Sequence, residues 1–179
     1  MNKILYAFAL AGVLGLSSCS DFLDQTSPSE MTAENTYASP YYTNLRVNKL
    51  YGGMAQDRTY AQDLSIVWNL NSDCELIDGL GSNATNTSSE RGNMNYNMDP
   101  GWSKISGVWD AEYGIIEDAN QIIEGIRSSA TLTAGGANQK SMERSLGEAL
   151  TIRAMVYFDL VRIFGDIPFK VEASKADLS

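Results

Sequence analysis

The chain has 179 residues, 44% of them apolar, with 13 Lys and Arg against 22 Asp and Glu and a formal net charge of −9. An acidic balance without a basic stripe argues against nucleic acid as a partner. The sequence contains no His, which removes Ser-His-Asp triads and His-bearing zinc sites, and no metal or cofactor is expected.

A single Lys at position 3 precedes an apolar run from Ile4 to Leu16, and Leu16-Ser17-Ser18-Cys19 closes it. A basic start, a short apolar stretch and a small-residue exit make a secretory signal peptide of residues 1–18, with a run too short for a membrane span. The closing Leu, two small residues and Cys resemble the bacterial lipobox, whose Cys is lipidated and becomes the new N-terminus. On that reading the mature protein begins at Cys19, tied to a membrane by its acyl chains; an ordinary signal peptide with a Cys near its exit is the plainer alternative. Acylation of Cys19 leaves Cys74 alone, so no intrachain disulfide is possible. With no His to activate it, Cys74 reads as a buried, inert thiol.

Residues 19–39 are polar, carry Pro28, and read as an acylated start and tether. From residue 40 a helical domain is expected to run to the chain end. Its first helix starts at Ser39-Pro40, a good N-cap followed by Pro at the first helical position. Leu45, Leu50 and Tyr51 are its apolar anchors, and it is expected to end by Gly52-Gly53 or to run on weakly toward Ala61. A second, less regular helical segment spans Tyr60 to Ile77, with Leu64, Val67, Trp68 and Leu76 as its apolar residues. Residues 79–101 are rich in Gly, Asn, Ser and Thr and read as a long loop, a place where function commonly resides.

Between Ser103 and Ser128 the residues Ile105, Val108, Trp109, Ile116, Ala119, Ile123 and Ile126 recur at spacings of three and four, which predicts one apolar helix face. Asn120 falls on or beside that face, and a buried amide there must tie backbone or a neighbouring helix. After a turn over 128–138, a helix is predicted from Gln139 to Phe164 with two apolar stripes. One is Leu146, Leu150, Ala154, Tyr157, Val161 and Phe164; the other is Ile152, Met155, Val156, Leu160 and Ile163. A helix apolar on two sides is expected to be packed on two sides. Arg144 and Glu148 can pair along its surface. Gly165 stops the helix and Pro168 blocks its resumption. Two long amphipathic helices joined by a short turn predict a mostly α fold of tetratricopeptide-like helix pairs with long irregular loops, although no 34-residue repeat is evident.

Three blocks carry a family resemblance. Gly147-Glu148-Ala149, Arg153-Ala154, Tyr157-Phe158, Leu160-Val161-Arg162, Phe164-Gly165-Asp166 and Pro168 form one; Trp109, Tyr113, Ile116 and Ala119-Asn120 form the second; Cys19-Ser20-Asp21-Phe22-Leu23-Asp24 forms the third. Together they resemble the N-terminal portion of SusD/RagB-type outer-membrane lipoproteins of Bacteroidetes. Members of that family are longer, and much of their ligand-binding subdomain lies in the part absent here, so the fold is expected to be incomplete. The resemblance implies a non-enzymatic, lipid-anchored, cell-surface protein. It would sit over a SusC-like TonB-dependent transporter and capture a glycan or peptide nutrient for uptake. It also implies structural roles for the motif residues Trp109, Tyr113, Asn120, Glu148, Arg153, Tyr157, Gly165, Asp166 and Pro168.

For ligand contact the loop offers Asn93, Asn95, Tyr96, Asn97, Asp99 and Trp102, where aromatic faces can stack on sugars and polar side chains can reach hydroxyls. A plainer reading has Trp102 anchoring the loop at the helix start. Two rival functions remain. A surface glycosidase would need two facing carboxylates, for which Asp73 with Glu75 or Asp78 is the nearest pair. A helical adaptor of an outer-membrane complex would bind no nutrient.

Overall fold

Apolar residues at helical spacing account for the regular structure of the described residues, 31–69, 72 and 101–174 of a computed structural model. In chain order it contains α1 (Ala33–Ala38), α2 (Pro40–Met54), α3 (Asp63–Asn69), α4 (Ser103–Ser128), a 3₁₀ turn (Ala130–Thr133) and α5 (Gly136–Phe164). Among the described residues there is no strand. None of these helices is long and apolar enough to cross a membrane. α4 and α5 pack against each other, and α2 packs against both. The arrangement is mostly helical and consistent with tetratricopeptide-like pairs.

The main core lies between these three helices. Val47 and Leu50 of α2 meet Ile115, Ile116, Ala119, Ile122, Ile123 and Ile126 of α4, and Met142, Ala149, Ile152, Val156, Tyr157 and Leu160 of α5. A smaller cluster joins Leu64 and Val67 of α3 to Trp102 and Val108 at the start of α4. Pro40 occupies the first turn of α2, as the sequence predicts, but the Ser39 side chain makes no capping bond. Its carbonyl instead accepts from the Thr43 N–H at 3.0 Å and the Thr43 hydroxyl at 2.9 Å. Gly165 ends α5 with φ at 75° and donates its N–H to the Val161 carbonyl at 3.0 Å, the positive-φ stop that Gly adopts freely.

The structure departs from the sequence reading at four places. Residues 33–38, expected to belong to an irregular tether, are helical and bury Tyr37 in the main core. Leu45 and Tyr51 of α2 face outward, because Thr43, Val47 and Leu50 form the buried stripe. In the expected helix over Tyr60–Ile77, the helical part among the described residues is Asp63–Asn69, and residues 70, 71 and 73–77 lie outside the described ones. α5 is packed on one broad face, and Met155, Phe158 and Val161 remain exposed on the other.

The seat of Tyr37 explains one glycine. A Cβ on Gly125 would lie 2.2 Å from two ring carbons of Tyr37, so a side chain there must expel the ring. Gly125→Ala is expected to destabilise the fold by about 2 kcal/mol despite its better helix propensity. Urea unfolding checks this, and a stability equal to or above wild type would mean that Tyr37 is not seated there.

Candidate functional site

Three groups of side chains stand out, and each begins with a residue out of place on a simple amphipathic helix. The first is built around Asn120, on the apolar face of α4 and 1% exposed. Its Nδ2 donates to the carbonyls of Lys170 at 3.1 Å and Glu172 at 3.2 Å, and its Oδ1 accepts from Arg153 Nη1 at 2.7 Å. The same Arg153 nitrogen donates to the Val171 carbonyl at 3.1 Å. Tyr157 donates its hydroxyl proton to the Lys170 carbonyl at 2.6 Å and accepts the Lys170 N–H at 2.8 Å. Tyr113 donates to the Pro168 carbonyl at 2.7 Å. Farther out, the Glu117 carboxylate accepts from the Ser174 N–H at 2.8 Å and its hydroxyl at 3.0 Å. Burial raises the Glu117 pKa, but the Ser174 and Gln121 hydrogen bonds and Lys170 outweigh it and hold the carboxyl below its usual range.

These side chains clasp residues 168–174, bonding backbone groups after Gly165 has ended the helix. Trp109 supports the clasp by packing on Tyr113 and Phe164, with ring centroids at 4.8 and 4.9 Å. Six motif residues thus serve the clasp or its approach: Trp109, Tyr113, Asn120, Arg153, Tyr157 and Gly165. Pro168 contributes its carbonyl, Asp166 is exposed, and Glu148 lies elsewhere, on the α2 side of α5.

The second group is acidic and interior. Glu112 of α4 is 0% exposed and Asp159 of α5 is 3% exposed. Both Glu112 oxygens lack a hydrogen-bond partner, as does the buried Trp68 Nε1. Tyr60 donates its hydroxyl to Asp159 Oδ2, and the Arg162 guanidinium lies 4.9 Å above the Trp68 ring. Burial pushes the Glu112 carboxyl up to about 8, with the charge of Asp159 adding to the effect. Burial also raises Asp159, against the opposing Tyr60 hydrogen bond and Arg162 charge. The Asp73, Glu75 and Asp78 acids lie outside the described residues. Among the described residues no cluster of acids or thiols could hold a metal ion.

The third group is an open groove of about 410 Å³ where the end of α2 meets α5. Tyr51 forms one wall, Ile152 and Met155 contribute apolar surface, and Arg144, Gly147 and Glu148 form the other side. Arg144 Nε donates to Glu148 Oε1 at 2.8 Å, the pair expected from the sequence, and Tyr51 donates its hydroxyl to Glu148 Oε2 at 3.3 Å.

Of the sequence-predicted ligand residues, Asn95, Tyr96, Asn97 and Asp99 lie outside the described ones, together with Asn93, Cys19 and Cys74. Trp102 is described and corrects the expectation. It is 7% exposed and packs with Leu64, Val67 and Val108, so it anchors the start of α4 and offers no stacking face. Glu112 and the groove were missed. Glu112 was legible as a charge four residues after Val108 and four before Ile116, whereas the groove arises only when α2 meets α5.

A family model described as "Starch-binding associating with outer membrane" matches residues 21–179. The chain is similar to SusD-like protein P2 of Formosa agariphila, 28% identical over 94% of this chain and 31% of the relative. It is also similar to SusD-like protein P25 of that organism, 23% identical over 96% of this chain and 31% of the relative. A SusD-like protein of Bacteroides ovatus is 30% identical over 35% of the chain and 11% of its own length. The chain thus spans about 31% of the length of the two Formosa relatives. No solved structure matches it. With the match running through both helix motifs and the clasp they build, the chain belongs to the SusD-like family.

Proposed function

We propose that this protein is a lipid-anchored, surface-facing component of an outer-membrane uptake system. It binds a nutrient glycan and delivers it to a SusC-like TonB-dependent transporter, acting by binding and not by catalysis. The observation that carries this reading is the family match beginning at residue 21, directly behind Leu16-Ser17-Ser18-Cys19. Asn95, Tyr96, Asn97 and Asp99 are its proposed sugar contacts in the polar loop.

Affinity purification from outer membranes in mild detergent tests the partnership. A co-purifying TonB-dependent barrel is the expected result; an intact, surface-located protein that brings down no barrel would count against uptake. The anchor has its own test. Cys19→Ala removes the acylated thiol, and without acyl chains the burial that holds the protein to lipid is lost. The variant is expected in the soluble fraction. If it remained with the membrane as wild type does, Cys19 would not be the anchor.

A further inference from the structure

Gly147 lies inside a 29-residue helix, where Gly is a poor choice unless something needs the space. A Cβ there would meet no atom within 4 Å, and its φ is not positive. Packing therefore explains Gly125 but not Gly147. Gly52 and Gly114 are equally open, but of the three only Gly147 lines the groove between α2 and α5. The missing side chain keeps that groove wide.

Its walls have a specific chemistry. Tyr51 is 48% exposed and Met155 is 40% exposed, so residues with apolar surface face solvent on two sides. The Arg144 side chain is 82% exposed, and its bond to Glu148 uses only Nε. The four Nη protons remain to be given. Each Glu148 oxygen accepts one bond from the protein and keeps a second acceptor site. A donor and an acceptor therefore stand side by side, with their charges cancelling. Two adjacent hydroxyls on a ring match that pair: one accepts from Arg144 and the other donates to Glu148. The apolar face of the same ring matches Tyr51 and Met155.

We propose that the groove bounded by Tyr51, Arg144, Gly147, Glu148 and Met155 is a saccharide subsite that takes a neutral sugar ring through a vicinal diol. It rests on the glycan-binding reading and adds a contact on the helical body, apart from the loop.

The intact protein, extracted from membranes in mild detergent, would be screened against neutral glycans and titrated by calorimetry with the best one. Tyr51→Ala is expected to weaken binding about tenfold, while Tyr51→Phe, which keeps the ring, stays within about threefold. Gly147→Leu is the sharper variant. It fills the groove and improves helix propensity, so it is expected to lose binding with an undiminished Tm. Tyr96→Ala serves as the loop comparison. If wild type binds a glycan and the Tyr51→Ala and Gly147→Leu variants bind it equally well, the subsite is overturned and glycan binding stands, with Tyr96→Ala reporting on the loop. If wild type binds no glycan, both readings fall. If α5 amides around Gly147 are as protected from exchange without glycan as with it, a protein segment fills the groove and the subsite is again overturned.

Discussion

Asn120→Leu is expected to cost the fold about 3 kcal/mol and to release residues 168–174 from the helix pair. The substitution suits the apolar neighbours of residue 120, so the loss comes from hydrogen bonds. The Lys170 and Glu172 carbonyls lose their shared donor, and Arg153 loses the acceptor at 2.7 Å. A neutral hydrogen bond contributes about 1 kcal/mol net and one to a charged group about twice that, while orphaned partners add their own desolvation cost. Two measurements separate the clasp from general damage. Urea unfolding gives the stability change, and exchange at the Lys170 amide, which is bonded to the Tyr157 hydroxyl at 2.8 Å, reports the clasp itself. A loss under about 1 kcal/mol with unchanged exchange at Lys170 would mean that Asn120 does not hold the segment.

The clasp also shows what the sequence can and cannot disclose. Asn120 recurs in register with Ile116 and Ile123, and a buried amide has to be paired, so its role in tying structure was legible. Its partners were not, because they are backbone carbonyls of residues 170 and 172, and carbonyls carry no sequence identity. Gly165 and Pro168 marked where α5 ends without saying that the chain would turn back across α4. Tyr37 was hidden for a related reason. A helix of six residues leaves no periodic signal, and what fixes it is a notch at Gly125, distant in sequence. In α2, Leu45 and Tyr51 face outward although they read as apolar anchors, because one short, weakly amphipathic helix supports more than one apolar stripe, and only the packing against α4 and α5 selects between them. Trp102 carried two readings in the sequence: its polar neighbours suggested a binding loop, and the plainer reading, an anchor at the helix start, is the one its neighbours in space Leu64, Val67 and Val108 select. At the other two sites, the apolar spacing around Glu112 could have exposed a buried charge, but no local pattern joins Tyr51 to Glu148.

Glu112 sets the second large effect, and it is one of pH. In the folded protein its carboxyl is raised to about 8 from an ordinary value of 4.5. The folded state therefore binds this proton more tightly than the unfolded state does. The stability it confers is fully present below about pH 4.5 and is lost progressively as pH rises toward 8. By pH 7 the loss from this one group amounts to about 3 kcal/mol. Asp159, also raised, works in the same direction. Glu117, held low by its hydrogen bonds, works in the other, so its contribution is lost as the solution turns acidic. With no His in the chain, the side chain that ordinarily dominates this pH range is missing, and Glu112 should control the slope. Wild type is therefore expected to be more stable at pH 5.5 than at pH 8, by about 2 to 3 kcal/mol. Glu112→Met keeps the volume and removes the titrating group. It should flatten that slope and exceed wild type in stability at pH 8, because an unpaired buried charge is replaced by packing. Urea midpoints of both proteins at the two pH values decide it. Parallel curves would mean that Glu112 is ionised and paired in the native protein, and that its two oxygens are not the orphans they are in this packing.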